Sequence, residues 1–226
     1  MLFALGEPVA FVALVVAFLL GLALRAVAIR FTARTVGLAE RGSSMRLSVR
    51  HDIDPFGAVS AAVGGAGWGK ILTIDDVPRW RGRGRAAAVF AAGPVACILA
   101  GEVLIAAYAV LFPVNAEEVL AFADLGLLLR GQISLPVAEE IVLSLGVGLL
   151  GFGLLALIPI PPLDGFGIMY YALRKPGASM AWMRLWFEDK NIGVLILLIL
   201  AFFPTGYPIL LLLLDILGAL FLRVWA

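Results

Sequence analysis

The chain has 226 residues, 62% of them hydrophobic and 15% charged, with a mean hydropathy of +1.05. A water-soluble domain carries roughly 45–50% apolar and about 25% charged residues, so a globule in water is excluded and lipid must cover the surplus. The net charge of +1 gives no basis for a nucleic-acid partner. A single cysteine (Cys97) and a single histidine (His51) exclude an internal disulfide, a cysteine-built zinc site and any site that needs two histidines from this chain.

The first apolar run, Val9 to Leu24, is followed by Arg25, Arg30 and Arg34. A cleavable leader also opens on an apolar run, and Ala26 and Ala28 mimic its cleavage site. Glu7 stands where a leader has basic residues, which favours a retained anchor over about residues 8–29. Residues 30–85 are the least hydrophobic region and read as a membrane-associated strand region. Met45, Leu47 and Val49 alternate with Arg46, Ser48 and Arg50, and Ile71 to Ile74 is a second strand-like stretch. Between them, Phe56 to Trp68 is too short to span as a helix and carries four glycines, so it is expected to be re-entrant or interfacial. Arg79, Arg81, Arg83 and Arg85 then form a basic stop at the headgroups.

The second span is expected over about 86–112, with Ala92, Ala96 and Ala100 as a small-residue face for close helix contact. Residues 113–135 carry Glu117, Glu118 and Asp124 and read as the outer side. The third span, about 136–158, opens on Pro136 with Glu139 and Glu140 near its positive end. It breaks at Pro159-Ile160-Pro161-Pro162-Leu163-Asp164-Gly165, because three prolines in four positions cannot continue a helix. A short helix over 165–174 follows. Residues 176–190 look amphipathic, with Trp182 and Trp186 suited to an interface. The last apolar block divides into 192–203 and 208–222, a hairpin returning Arg223 to the cytoplasm, with one long tilted helix as the competing reading. The fold class is therefore an all-α polytopic membrane protein of about 4–5 transmembrane helices, with a small strand or re-entrant region between the first two spans. Eleven of the seventeen basic residues lie between positions 25 and 85, which orients that loop to the cytoplasm and the N-terminus outside.

Ionisable groups cost roughly 2.5–3.5 kcal/mol each at the centre of a bilayer-spanning helix, so Glu102, Asp164 and Asp215 stand out. Asp164 follows a helix break. It either faces a polar cavity from an opened backbone or caps the following helix. Glu102 and Asp215 read as interhelical hydrogen-bonding groups.

Four motifs occur in one order: His51-Asp52-Ile53-Asp54-Pro55-Phe56-Gly57, Gly67-Trp68-Gly69-Lys70, Ala92-Gly93-Pro94, and Ile158-Pro159-Ile160-Pro161-Pro162-Leu163-Asp164-Gly165. This series resembles the bacterial site-2 proteases, intramembrane zinc metalloproteases, over roughly residues 45–170. The resemblance implies one membrane domain over 1–226 in a bacterial cytoplasmic membrane. Asp54, Pro55, Gly57, Gly93, Pro94, Pro159, Pro161, Pro162 and Gly165 would be its frame and Asp164 a zinc ligand. The other ligands in that family are the histidines of an H-E-x-x-H run on the first helix, with the glutamate as general base. Here that stretch reads Leu24-Arg25-Ala26-Val27-Ala28, and Cys97 and Ala156 stand where the family often has asparagine.

The resemblance with these departures implies a proteolytically inactive relative, with no catalytic residues and no cofactor. Its partners would be the lipid bilayer and transmembrane segments of client proteins or of an active protease relative. Asp164 is then expected to meet a backbone donor, a water or a cation such as Arg25. The alternative is an active metalloprotease with atypical or partner-supplied ligands, in which His51 or Glu102 assists Asp164 and zinc is retained. A third class is a small transporter or channel component, suited by broken helices and buried carboxylates.

Overall fold

The computed structural model describes residues 2–38, 53–70, 72–77, 82–202 and 207–226. After a 3₁₀ turn at Leu2–Gly6, the helices are α1 (Pro8–Thr35), α2 (Pro55–Gly64), α3 (Arg83–Leu111), α4 (Pro113–Phe122), α5 (Leu125–Leu129), α6 (Val137–Leu157), α7 (Asp164–Ala172), α8 (Ala178–Met183), α9 (Ile192–Phe202) and α10 (Ile209–Leu222). A π-helical turn, Arg184–Asp189, follows α8. Among the described residues α1, α3 and α6 are long and apolar enough to cross a membrane. At 1.5 Å per residue they run about 42, 44 and 32 Å.

These three helices form the centre of the molecule, and small residues set their spacing. Lipid tails give apolar helices no reason to leave lipid for one another, so association depends on close backbone approach. On α3, a methyl group on Gly101 would lie 2.7 Å from Leu150 N and 2.8 Å from Gly146 O of α6. A methyl on Gly153 of α6 would lie 2.8 Å from Pro94 O and 2.9 Å from Ile98 N. Gly148 meets Ala17 of α1, and Gly21 of α1 meets the Phe152 ring. The α3–α6 pairs run in opposite directions and the α1–α6 pairs in the same one. One end of the bundle thus gathers Arg30, Arg34, Arg83 and Arg85, and the other gathers Glu7, Glu139 and Glu140. The expected small-residue face at Ala92, Ala96 and Ala100 is only half-buried; Gly93, Gly101 and Gly153 make the close contacts instead.

The segment from Pro159 bends the chain, after which α7 continues along α3 toward the basic end. Gly167 lies against the Phe90 ring, and Arg83 NH1 donates to Ala172 O at 3.2 Å. Asp164 is the first residue of α7, one position earlier than expected.

Three expectations need correction. Phe56 to Trp68 contains a ten-residue helix, α2, despite its glycines. Asp54 caps it by accepting from Phe56 N at 3.0 Å, Pro55 occupies its first position, and Gly65 ends it in the left-handed region at φ 86°. Good caps outweigh poor intrinsic propensity. The strand-like stretch ending at Ile74 is a turn where described. The Asp76 carboxylate accepts from Thr73 N (2.9 Å) and Thr73 Oγ1 (2.8 Å), closing the backbone locally. The other strand, Met45 to Val49, and His51 lie outside the described residues.

The third correction concerns the end of the last apolar block. As the hairpin reading expects, the block forms two helices, Ile192–Phe202 and Ile209–Leu222, of 11 and 14 described residues. α9 packs on α2, the π-helical turn and α10, and α10 packs on α5 and α6. At the α2 contact, Gly64 meets Ala201. Beyond α10, Trp225 Nε1 donates to Glu102 Oε2 at 2.9 Å. Glu102 is nineteen residues along α3 from Arg83, about 28 Å, so the C-terminal residues do not return to the basic end.

Two predictions follow from this packing. G101V should destabilise the protein by roughly 1–3 kcal/mol, read as a lower thermal unfolding temperature in detergent. G84A, with open space around it, should be neutral or slightly stabilising. The second concerns Glu188, which accepts from Ile74 N at 2.7 Å. Burial pushes its carboxyl up from the usual range, against the Ile74 N–H and Arg184, which pull it down. A raised folded-state pKa contributes stability that is complete below the unfolded value, about 4.3, and is lost as pH rises through the folded value. E188Q keeps an acceptor and buries no charge. It should unfold at a higher temperature than the parent near neutral pH, with the gap closing toward about pH 4.

Candidate functional site

A carboxylate in the first turn of a helix gains from the helix dipole, but inside an apolar bundle that is too little to hold a charge. Asp164 is 1% exposed and receives a full cation from α1. Arg25 Nε donates to Asp164 Oδ2 at 2.7 Å, and Arg25 NH2 donates to Oδ1 at 2.5 Å. Both carboxylate oxygens are thus held by one planar guanidinium, the fork geometry that lysine cannot make. The remaining nitrogen, NH1, donates to Lys70 O at 2.8 Å. The cation anticipated beside Asp164 is therefore Arg25. A backbone carbonyl from the segment after α2 also binds it.

The route of the Arg25 side chain explains a glycine. A methyl on Gly93 of α3 would lie 2.5 Å from Arg25 Cγ, so Gly93 opens the path from α1 to α7. Pro94 follows it inside α3 and presents its carbonyl to Gly153. Gly165, the residue after Asp164, packs against the backbone of Leu157 and Ile158. A side chain there would push α7 away from α6 and carry Asp164 with it.

The segment carrying Lys70 is fixed by a second buried carboxylate. Asp54, besides capping α2, accepts from Trp68 Nε1 at 2.7 Å through Oδ2. Gly57 lies directly against the Trp68 carbonyl, Gly67 lies against Ala61, and Ser60 Oγ donates to Ala66 O at 2.7 Å. The loop 65–70 is thereby folded back on α2 and offers the Lys70 carbonyl to Arg25. All four motifs, where described, meet here. The Asp54–Gly57 and Trp68–Lys70 stretches are joined by the Asp54–Trp68 bond. Gly93-Pro94 clears the way for Arg25, and Leu163-Asp164-Gly165 supplies its counter-ion.

A small cavity lies beside the pair, lined by Arg25, Trp68, Gly69, Phe152, Ala156, Pro162, Leu163 and Asp164. Ala156 puts a methyl group there. Cys97 is fully buried nearby and donates weakly to Gly21 O at 3.5 Å. Leu24 and Ala28, the neighbours of Arg25 on α1, offer no metal-binding atom. Among the described residues no three His, Cys, Asp or Glu side chains gather as a possible metal-ligand group.

The remaining candidates lie elsewhere. Glu102 is nine residues beyond Gly93 on α3, about 13 Å along the axis, so it is not brought to Asp164. It bonds Trp225 instead, and its Oε1 is buried without a hydrogen-bond partner. Asp215 ties α10 to α5, accepting from Gly126 N at 2.6 Å and from Tyr207 Oη at 2.6 Å. This is the structural role expected for it. Sequence reasoning missed the Asp54–Trp68 bond and the Lys70 carbonyl. The only signal for the first was an aspartate before proline, which marks a helix start. A backbone acceptor has no side-chain signal at all.

Comparison with family models, with curated proteins and with solved structures finds no match.

The geometry predicts strong coupling between Arg25 and Asp164. R25Q or D164N alone leaves a buried charge without its partner, and each should cost about 3–5 kcal/mol. The double variant R25Q/D164N pairs two neutral amides and should recover most of that loss. Unfolding of all four proteins in the same detergent completes the cycle, and additive losses would refute the coupling.

Proposed function

We propose that this chain is a site-2-protease-like membrane protein without protease chemistry, which binds or regulates transmembrane segments of other proteins. The observation that carries this reading is the occupant of Asp164. In the resembled family the first helix faces the Leu-Asp-Gly turn and holds a metal ion between them. Here α1 faces the same turn, and what lies between is the guanidinium of its own Arg25. A fixed monovalent cation replaces the metal dication as the partner of the aspartate.

The exchange removes three functions at once. Arg25 has no lone pair to offer a metal and no basic form near neutral pH, so it cannot take the glutamate's part as a proton acceptor. Leu24 and Ala28 cannot take the part of the imidazoles. With both oxygens of Asp164 committed to Arg25, a zinc ion would have to break a buried bidentate pair to gain one ligand. The residues present do not fit zinc, and no hydrolytic step is derived for them.

What is retained is the frame: a broken helix, a loop folded on α2, and a bundle packed through glycines. A protein of this kind acts by holding a client helix or an active relative in the plane of the membrane. We place it in a bacterial cytoplasmic membrane with the basic end of the bundle toward the cytoplasm.

Purified wild-type protein should carry far less than one zinc per protomer and leave membrane-anchored candidate substrates intact. L24H/R25E/A28H, which rebuilds the family's run on α1, should acquire zinc by elemental analysis and lose it again when D164N is added. Wild-type protein with stoichiometric zinc and a cleavage activity abolished by D164N would overturn the proposal. A folded triple variant that takes up no zinc would remove its geometric support.

A further inference from the structure

The basic end of the bundle carries a surface that the protease resemblance does not explain. After α7 the chain runs through Leu173, Arg174 and Lys175, all exposed, into α8 and the π-helical turn. Its inner side is firmly attached. Met180 is buried in a cluster with Ile74, Val77, Phe90, Phe166 and Tyr171. Arg184 pairs with Asp75 at 2.5 Å, and Glu188 accepts from Ile74 N. The Tyr171 hydroxyl reaches the carbonyls of Val77 (2.5 Å) and Ile74 (3.0 Å). These contacts fix which side faces out.

The outward side is apolar where a surface in water would be polar. Trp182 is 55% exposed, Leu185 46%, Trp186 38% and Leu173 41%. The two indoles lie 6.4 Å apart between centroids, tilted 44° to each other, and the Lys190 ammonium lies 4.7 Å over the Trp186 ring. Exposed cations flank this segment along the chain: Arg174 and Lys175 before it, Lys190 after it. Arg83, bonded to Ala172 O, and the exposed Arg85 stand at the neighbouring start of α3. Indole rings with a polar edge settle at the headgroup level, and lysine and arginine flanking them attract anionic headgroups.

We propose that the face formed by Leu173, Arg174, Lys175, Trp182, Trp186 and Lys190 is a binding surface for anionic lipid headgroups. It would lie flat on the bilayer at the basic end of the bundle. Charge complementarity selects the occupant: the exposed cations on this face meet phosphate, while the indoles and leucines enter the acyl boundary. The inference does not depend on the resemblance to proteases, only on the chain lying in a membrane.

The test uses the full chain in vesicles of phosphatidylcholine alone or with one-third phosphatidylglycerol. Lipids brominated high on the acyl chain should quench the share of tryptophan fluorescence that W182F/W186F removes. In native mass spectrometry, bound phosphatidylglycerol should exceed bound phosphatidylcholine. R174Q/K175Q/K190Q should weaken retention about five-fold per neutralised base, with its thermal unfolding unchanged. Indoles untouched by the brominated lipid would overturn the proposal, since the face would then lie in water or under another protein. Equal retention of phosphatidylglycerol by parent and triple variant would overturn it as well.

Discussion

A carboxylate one per cent exposed inside an apolar bundle has to be neutralised, and how this is done constrains everything around it. Asp164 is neutralised by Arg25, a residue 139 positions away in sequence. A bidentate pair is directional, so it fixes more than a distance. α1 must present one face to the start of α7, α3 must have no side chain at Gly93, and the loop after α2 must bring a carbonyl to the third guanidinium nitrogen. Breaking a buried pair costs several kcal/mol because the surviving charge stays buried, and that penalty opposes any rotation of α1 away from the site.

The packing around the pair obeys the logic of a lipid solvent. Apolar side chains alone cannot hold α1, α3 and α6 together, because lipid would serve them equally well. Backbone approach through Gly93, Gly101, Gly148 and Gly153 supplies dispersion contacts that lipid cannot match. Polar tethers do the rest where elements are short. Asp215 holds α10 to α5 through Gly126 N, Glu139 of α6 accepts from Asn115 of α4, and Asp54 holds the loop to α2. In each case a carboxylate in a dry place has found a donor on a different element. The tethers therefore serve to assemble the fold as well as to satisfy charge.

Hydropathy made the three long helices legible, since Val9 to Leu24 and the runs ending at Leu111 and Leu157 have no stable home in water. The break at Pro159 was legible because proline chemistry is local. The Arg25–Asp164 pair was within reach for a different reason: Asp164, a carboxylate in an apolar stretch, called for an opposite charge, and Arg25 stood at the end of the first apolar run. The short helices were harder. α2 was obscured by its glycines, whose use as contact points with Trp68 and Ala201 is a tertiary fact. The strand-like stretch ending at Ile74 gave way, where described, to a turn because Asp76 offered the backbone of Thr73 a nearer acceptor. The partners of α9 and α10 were not legible, because composition records how apolar a stretch is, while what it packs against depends on the rest of the chain.

The pair also bears on how such a protein changes. Converting a metal centre into an ion pair takes few substitutions, but they must be compatible at each step. An aspartate whose metal is lost keeps its burial and has no partner, which is costly. A cation on the facing helix relieves that cost and also blocks the metal's return, since both carboxylate oxygens are taken. In the proposed reading, Arg25 thus stabilises the frame by the same contacts that foreclose its chemistry. The rest of the frame, from Gly93 to the Asp54–Trp68 bond, positions that guanidinium. On that proposal, packing around Arg25 accounts for the surrounding motifs without any catalysis.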